Sequence, residues 1–506
     1  MTSAQIIIVV TIVLYLAAMV LVGVYFGKKG SGSSSDDFYL GGRKMGPVVT
    51  AMSAEASDMS SYLLMGLPGL AYLCGLPEVT WTAIGLAIGT YLNWLIVARR
   101  LRRYSAKLGA ITIPDFFARR FGDKKHLLSC IAAVVILIFF IPYTASGFKA
   151  IGTLFNSLFG VEYHTAMIVG GIVIVLYTVM GGFMAVSFTD LIQSIFMTIA
   201  LIVIVCFGVQ QAGGLDTVID NARALPGYLN MTQGYDAASG TAASFSTLSI
   251  ISTLAWGLGY FGMPHIIVRF MSIEKPSMVK KSAIVACVWV VLSLGAVCLI
   301  AYFGRMLVAD ELLPAGQQKT IFIVLARKLF PAFLAGILLA AIMAASMSTA
   351  DSQLLVASSS FTSDIYKPVF RKNASDNEIL WVGRLIVLIV SVIAYMIASS
   401  KGEGAQAIMN MVENAWGGFG SAFGPVVILS LFWRRLTYKG AVAGVVAGAL
   451  TDVLWYLFLS ASTGVYELLP GFAVGMLVCA AASLLDKAPG KEVTDIFDAA
   501  LSKYND

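Results

Sequence analysis

Charged residues are scarce in this chain of 506 residues, and histidine is nearly absent. Only 12% of the residues are charged and three are histidines, whereas 58% are hydrophobic. A soluble protein has about 25% charged residues, so the composition excludes an ordinary soluble enzyme, and no nucleic-acid partner is expected. The sequence instead predicts an all-α protein that crosses a lipid bilayer many times.

The residues that most often carry catalysis or bind transition metals are also missing. The six cysteines occur singly, without a CxxC motif or any paired spacing, which excludes a cysteine metal centre and a disulfide framework. His126, His164 and His265 are far apart, and no nucleophile stands beside a base. We therefore expect a protein that is not an enzyme; an intramembrane enzyme would have only Glu55 and Asp58 as its catalytic pair.

Apolar runs long enough to cross a bilayer, about 20 residues each, occur thirteen times in the sequence. These predicted spans, numbered in chain order, lie near residues 4–26, 47–71, 79–98, 127–154, 164–184, 188–211, 245–269, 282–304, 331–358, 381–400, 408–433, 440–460 and 469–485. The first run lacks a basic leader and a small-residue cleavage site, so it predicts a spanning helix and not a signal peptide.

Lysine and arginine are concentrated in every second connection between the predicted spans. These connections contain a dense group between Arg99 and Lys125, and they include Arg269 at the end of span 7. The other connections carry only Arg223, Arg305, Lys319, Arg327, Lys328 and Lys401. Because basic loops stay in the cytoplasm, we expect an outside N-terminus, a cytoplasmic C-terminus and a place in the cytoplasmic (plasma) membrane.

Span 2 is polar in its middle. Within nine residues it contains Ser53, Glu55, Ser57, Asp58, Ser60 and Ser61. A carboxylate at membrane depth costs about 2.5–3.5 kcal/mol, and short polar side chains compete with the helix for backbone hydrogen bonds. We predict a helix that is interrupted at mid-membrane and binds a cation and a small solute there. The alternative is a polar seam between packed helices.

Span 7 is interrupted as well, by Gly257, Gly259, Gly262 and Pro264. Spans 2 and 7 are five apart, and an odd offset reverses the direction through the membrane. Spans 2–6 and 7–11 therefore predict two inverted repeats, each with a broken first helix, as in many secondary transporters. The predicted organisation is span 1 with a cytoplasmic loop (1–46), a first repeat (47–211), a second repeat (245–435), and two accessory spans with a cytoplasmic tail (436–506).

Span 9 carries small and hydroxylated residues on one face. Ala345, Ser348, Thr349 and Ser352 are three or four residues apart, a spacing that places them on the same side of a helix. Hard cations prefer oxygen ligands, so the pattern predicts a Na⁺ site. A close helix-packing face is the alternative.

Five long motifs carry a family resemblance that extends over nearly the whole chain. They are SAEASDMSSYLLMGLPG (53–69), GGFMAVSFTDLIQ (181–193), AWGLGYFGMPHIIVRFM (255–271), AASMSTADSQLL (344–355) and ENAWGGFGSAFGPV (413–426). These motifs resemble the sodium/solute symporter family, and most closely its sodium/proline branch. The resemblance implies thirteen transmembrane helices around a LeuT-type five-plus-five inverted repeat, which agrees with the predicted threading.

The same resemblance implies a set of binding residues. The implied Na⁺ ligands are the backbone oxygens of Ala56, Met59 and Ala345 and the hydroxyl groups of Ser348 and Thr349. Asp58 matches an aspartate linked to Na⁺ binding, and Asp190 matches a carboxylate on the exit route of the ion. The implied solute pocket contains Ser60, Ser61, Tyr143, Trp256, Tyr260 and Pro264.

Three positions of this sequence depart from the family pattern. Glu55 stands where relatives carry a small residue, and Ser61-Tyr62 stands where Gly-Trp is expected, which leaves the exact solute open. Asp351 replaces a neutral residue. With Asp190, Ser348 and Ser352 it would form a second cation or proton site, as in some sialic acid members; the alternative is a solvated Asp351 near the cytoplasmic mouth.

The expected function is Na⁺-coupled uptake of L-proline by alternating access. Another small solute (pantothenate, a different amino acid, a carboxylate or a sugar) is the alternative within transport. A channel or a membrane sensor is the alternative from another class.

Overall fold

The computed structural model describes residues 2–29, 34–400 and 405–501, and the chain is about 84% helical. Lys401, which was assigned to an outer connection, lies outside the described residues. So do Met1 and residues 502–506 at the chain ends.

Within the described ranges, ten helices are long and apolar enough to cross a membrane, or eleven if one bent pair counts as a span. The ten helices are Ser3–Phe26, Leu76–Leu108, Leu127–Phe159, Tyr163–Gln211, Pro276–Leu307, Ala332–Phe370, Asp376–Ser400, Asn410–Phe432, Tyr438–Phe458 and Leu468–Leu485. The bent pair is Thr247–Phe261 with Pro264–Ser272, at an angle of 42°. Below, the numbers of the predicted spans serve as labels for the same stretches of chain.

Predicted spans 5 and 6 form one helical segment, Tyr163–Gln211, which bends at Gly182. A helix of 49 residues is about 73 Å long at 1.5 Å per residue, more than twice the ~30 Å of the hydrocarbon layer. Gly182 has φ 58° and ψ −158°, a conformation that glycine adopts without strain. A Cβ at this position would lie 2.8 Å from the backbone oxygen of Phe38. The chain therefore changes direction close to the predicted boundary between the two spans.

Span 2 is broken in the polar stretch. Its first helix, Pro47–Asp58, begins with a proline, which suits the first turn because that turn leaves its N–H groups without partners. Met59 has φ −78° and ψ 74° and ends the helix. A π-helical turn, Tyr62–Gly66, and a second helix, Leu67–Cys74, complete the span. The pieces are too short to count among the ten long helices.

Span 7 has a different kind of break. Helix Thr247–Leu254 tightens into a 3₁₀ segment, Ala255–Phe261, and a new helix, Pro264–Ser272, follows. A Cβ on Gly85 of span 3 would lie 2.5 Å from the backbone oxygen of Leu254. Spans 3 and 7 thus touch backbone to backbone, and glycine makes this close approach possible.

Short elements connect the long helices. They are the helices Ser35–Leu40, Gly41–Arg43, Ile113–Phe121, Leu215–Arg223, Ala309–Ala315, Gln318–Thr320, Ile321–Leu329, Ser460–Thr463 and Lys491–Leu501, and the antiparallel strands Gln233–Asp236 and Thr241–Ser244. Buried connections at one end of the bundle are held by arginines: Arg43 donates to the backbone oxygens of Met271 at 2.6 Å and Ala110 at 2.5 Å. Burial, together with the nearby charge of Arg102, lowers the pKa of Arg43 to about 10.

Burial separates central helices from peripheral ones. The apolar windows of Ala332–Phe370 and Asn410–Phe432 are 78% and 83% buried, whereas those of Tyr438–Phe458 and Leu468–Leu485 are each 28% buried. Spans 9 and 11 therefore lie in the interior of the bundle, and spans 12 and 13 lie at its edge.

Candidate functional site

The break in span 2 faces the hydroxylated side of span 9. The Ser348 hydroxyl donates a hydrogen bond to the Ala56 carbonyl at 2.7 Å, and it lies 3.3 Å from the Ala345 carbonyl. The Thr349 hydroxyl donates to that same carbonyl at 3.2 Å. Four of the five predicted Na⁺ ligands therefore meet at one place, and the fifth, Met59, is the residue at which the helix ends.

The break explains why these oxygen atoms are available. Ala56 is in the last turn of its helix, where backbone carbonyls lack a partner within the helix. The hydroxyl groups of Ser348 and Thr349 rotate freely about the C–O bond, so each oxygen can turn its lone pairs toward a cation and its hydrogen away. The arrangement offers several neutral, hard oxygen ligands, which is the donor type that a hard cation prefers.

Asp58 links the two broken helices. Its Oδ2 accepts a hydrogen bond from the Tyr260 hydroxyl on span 7. Asn93 of span 3 donates to the backbone oxygen of Tyr260 at 3.0 Å, and His265 Nε2 lies 3.1 Å from the backbone oxygen of Ser57. Asp58 is thus directed at span 7 and away from the span 9 hydroxyls, and it fixes the position of one break relative to the other.

The predicted solute-binding residues lie in the interior between the two breaks. All of them are buried: Ser60, Ser61, Tyr143, Trp256, Tyr260 and Pro264. Tyr143 lies beside the Ser60 hydroxyl, and its ring meets the His265 ring edge-on at 6.2 Å. The Ser61 hydroxyl has no hydrogen-bond partner among the described residues. The structure therefore gathers these side chains into one enclosed, aromatic and hydroxyl-bearing region.

Three aromatic residues next to this region were not predicted from the sequence. Tyr62 stacks on Trp256 with ring centroids 5.4 Å apart, and Tyr466 stacks on the same indole at 5.1 Å. The Trp416 indole N–H donates to the backbone oxygen of Trp256 at 2.8 Å. Trp416 lies in the motif ENAWGGFGSAFGPV, which could have indicated it, but Tyr466 stands in no motif and only the fold shows its place.

Arg269 was assigned to a cytoplasmic connection, and that assignment is wrong. The residue lies within helix Pro264–Ser272 and is only 1% exposed. Its guanidinium pairs with Asp190 at 2.9 Å and donates to the hydroxyl groups of Ser53 at 2.7 Å and Ser352 at 2.5 Å. Ser53 also donates to Asp190 at 2.6 Å. The structure thus brings predicted Asp190 and Ser352 together, but around an arginine that the sequence predicts in a cytoplasmic connection.

Asp351 is fully buried beside this network. Its carboxylate accepts hydrogen bonds from the Tyr177 hydroxyl at 2.7 Å and from the Ser352 hydroxyl at 3.1 Å. The alternative of a solvated Asp351 at the cytoplasmic mouth is therefore wrong, because the carboxylate is not exposed and the Tyr177 and Ser352 hydroxyl groups donate hydrogen bonds to it.

Glu55, which departs from the family pattern, contacts span 3. The Trp94 indole N–H donates to Glu55 Oε1 at 3.1 Å, while Oε2 has no partner among the described residues. The side chain points between spans 2 and 3, and it is not one of the oxygens gathered at Ala56 and Ser348.

Comparison with known proteins gives consistent results. The model of the "Sodium:solute symporter family" matches residues 38–448. The chain is 45% identical over 482 residues to the high-affinity proline transporter PutP of Bacillus subtilis (strain 168), covering 95% of this chain and 98% of that protein. It is 41% identical over 501 residues to the sodium/proline symporter of Escherichia coli (strain K12), covering 98% and 96%.

Solved structures support the same fold. A substrate-bound, outward-open Na⁺-coupled sialic acid symporter matches with a TM-score of 0.75 at 21% identity, covering 96% of this chain and 99% of that one. Mhp1, a nucleobase-cation-symport-1 family transporter in a closed conformation, matches with a TM-score of 0.53 at 12% identity, covering 91% and 98%. These structural neighbours are LeuT-fold sodium symporters. The family model, the full-length relatives and the shared fold agree, and the chain belongs to the sodium:solute symporter family.

Proposed function

We propose that this protein couples the inward movement of Na⁺ to the uptake of L-proline across the cytoplasmic membrane. The observation that carries the proposal is the contact of the broken span 2 with span 9. There the Ala56 and Ala345 carbonyls meet the hydroxyl groups of Ser348 and Thr349, next to the buried aromatic region. The relatives at 41–45% identity, which are named for proline transport, support the choice of solute.

The enclosed region suits the chemistry of proline. The ammonium group and apolar ring of proline fit against aromatic faces such as those of Trp256 and Tyr62, because π-systems attract cations. Its carboxylate fits the hydroxyl groups of Ser60 and Ser61 and the N–H groups at the start of helix Pro264–Ser272, where a helix dipole favours an anion. Na⁺ binding at Ala56 would hold the neighbouring break in shape, and each ligand would then favour the other by the same coupling free energy.

The inner network supports a route for the ion. We assign Asp190 and Arg269 to an inner gate, since their contact joins spans 6 and 7 on the far side of the break from the solute region. When the gate opens, Arg269 releases Asp190, and the carboxylate is then free to guide Na⁺ toward the cytoplasm. Because Arg269 supplies the positive charge beside Ser352 and Asp351, these two residues would hold a second cation only after Arg269 has moved away.

We propose thirteen membrane crossings for this chain. The bend at Gly182 would divide Tyr163–Gln211 into two crossings, and the pieces of span 2 would together make one. The four segments 1–46, 47–211, 245–435 and 436–506 then correspond to a leading span, two inverted repeats and two accessory spans. The basic connections support an outside N-terminus and a cytoplasmic C-terminus. In this arrangement the protein transports its solute unchanged and is not an enzyme.

Uptake by purified protein in liposomes tests the proposal. An inward Na⁺ gradient should drive accumulation of labelled L-proline, and replacing Na⁺ with choline should abolish it. In a counterflow panel, unlabelled proline should compete with the label, while pantothenate, carboxylates and sugars should not. Failure of proline to compete would shift the proposal to the solute that does. Flux without saturation would point to a channel, and solute binding without flux would point to a sensor.

Trp256 should contribute to proline affinity. Replacing it with alanine removes the aromatic face that stacks on Tyr62 and Tyr466, and aromatic–cation contacts are worth about 0.5–2 kcal/mol, or roughly 2–30-fold in binding. We expect the KM for proline to rise by that factor while the Na⁺ requirement changes less. Trp381→Ala is the matched control, since Trp381 of span 10 is 65% exposed on the surface of the helix bundle. Equal KM values for proline in both variants would show that Trp256 does not contribute to proline binding.

A further inference from the structure

Two carboxylates are buried together where spans 11, 12 and 13 meet, and neither belongs to the Na⁺ ligands described above. Asp452 of helix Tyr438–Phe458 and Glu467, which caps helix Leu468–Leu485, are each 2% exposed. Within the described ranges neither carboxylate forms a salt bridge. A buried pair of anions without a cation is strongly unfavourable, so this pair either binds a cation or takes up protons.

Glycine creates the space between the two carboxylates. A Cβ built on Gly417 of span 11 would lie 2.8 Å from Asp452 Oδ1, 3.3 Å from Glu467 Cγ and 3.5 Å from the Tyr466 hydroxyl. All three atoms belong to side chains from other parts of the fold, and they converge on the position that the missing side chain leaves open. The space is therefore surrounded by oxygen-bearing groups.

One of these oxygens lacks a partner. Glu467 Oε1 is buried and has no hydrogen-bond partner among the described residues. Asp452 Oδ1 accepts a hydrogen bond from the fully buried Ser421 hydroxyl at 3.1 Å, and the Tyr466 hydroxyl donates to the backbone oxygen of Glu413 at 2.8 Å. Buried polar atoms are nearly always paired, so this oxygen is available to bind a ligand such as a cation.

We propose that Asp452, Glu467 and Ser421 form a further cation site, separate from the Na⁺ ligands and from Asp351 and Ser352. This site binds a hard metal ion through oxygen ligands. Ca²⁺ is the ion that the charge favours, because two carboxylates carry a charge of −2 and a divalent ion leaves the buried site neutral. Hard divalent ions bind carboxylate and hydroxyl oxygens in this way. The site goes beyond the proposed symport and does not depend on which solute is transported.

The site is linked to the solute region by adjacent residues. Tyr466 precedes Glu467 in the chain, and its ring stacks on Trp256 at 5.1 Å. The backbone N–H of Tyr466 donates to the Ser252 hydroxyl of span 7 at 2.7 Å. An ion held by Glu467 would therefore hold Tyr466 against the broken helix that carries Trp256. The threading proposed above places this end of the bundle outside, where the ion would come from the external medium.

Titration of the purified full-length protein with metal ions tests this site. The protein is stripped with a chelator and kept at constant ionic strength and constant Na⁺, and CaCl₂ is then added while the melting temperature and tryptophan fluorescence are followed. A ligand that binds only the folded state raises the melting temperature in a saturable way. We expect a saturable Ca²⁺ response in the unmodified protein and at least tenfold weaker binding in Asp452→Asn and in Glu467→Gln.

Two further variants make the test specific. Gly417→Ala keeps both carboxylates but fills the space between them, so it should also weaken the Ca²⁺ response. Glu311→Gln removes an exposed carboxylate elsewhere and should leave the response unchanged. Each variant is first shown to elute as a single symmetric peak in size-exclusion chromatography and to melt in one transition without added metal, so a folding defect is separated from a lost site.

The outcomes divide clearly. A response to Na⁺ alone that is lost in Asp452→Asn would support the site and assign it to Na⁺. The inference is overturned if no metal ion changes the melting temperature or fluorescence of the unmodified protein. It is also overturned if the Asp452 and Glu467 variants respond to metal ions as the unmodified protein does, or if the pair binds a proton but no metal ion. Because the titration needs no solute, it remains decisive even if proline proves to be the wrong substrate.

Discussion

Removing the Thr349 hydroxyl is expected to raise the Na⁺ concentration for half-maximal proline uptake by roughly 10–150-fold. This range corresponds to the ~1.5–3 kcal/mol of a hydrogen-bond-like contact to a charged group. The hydroxyl lies 3.2 Å from the Ala345 carbonyl, among the oxygens assigned to the ion. Alanine in its place would leave a larger and more apolar cavity with one ligand fewer. The measurement is initial uptake as a function of Na⁺ at fixed proline.

Two matched variants identify the cause of this effect. Thr349→Ser retains the hydroxyl and loses only a methyl group, so it should restore most of the Na⁺ affinity. Ser346→Ala removes an equally buried hydroxyl from the same helix, which donates to the Ile342 carbonyl at 2.9 Å and is not among the oxygens assigned to the ion. A Ser346 variant as defective as Thr349→Ala would show that the loss reflects helix packing and not ion binding.

Most of the fold followed from physical patterns in the sequence. Apolar length located the spanning helices, and the cluster from Ser53 to Ser61 located the break, because short polar side chains in a membrane helix compete for its backbone hydrogen bonds. The number of continuous helices did not follow from these patterns. Length alone could not show that residues 163–211 continue as helix around Gly182, since that depends on one backbone conformation and on the packing of Phe38.

Local patterns failed where the partner lies far away in the chain. Arg269 looked like a cytoplasmic anchor because it stands at the end of an apolar run, but its partner Asp190 is 79 residues earlier. The pair of Asp452 and Glu467 could not be predicted for the same reason. Each is a single acidic residue in its stretch of sequence, and only the fold brings both to Gly417. Tyr466 likewise reaches Trp256 across more than 200 residues.

The largest loss of stability is expected from Arg269→Gln. This change leaves Asp190 buried without its cation, and removing one member of a buried ion pair costs about 3–5 kcal/mol. Asp190 is 0% exposed and keeps only the Ser53 hydroxyl as a strong partner. We therefore expect a clearly lower melting temperature of the purified protein and little or no Na⁺-driven accumulation of proline.

A double variant separates the ion pair from its individual charges. In Asp190→Asn with Arg269→Gln the buried ion pair becomes two neutral amides, which can still bond to each other, to Ser53 and to Ser352, while Asp351 keeps its hydrogen bonds from Tyr177 and Ser352. Its melting temperature should therefore lie above that of Arg269→Gln, although it carries one more substitution. Transport should not recover with stability, because the proposed gate depends on an arginine that releases a carboxylate for the departing ion. Recovery of both together would mean that Arg269 has only a structural role. A double variant no more stable than Arg269→Gln would mean that the cost arises from lost packing around the guanidinium and not from the unpaired charge.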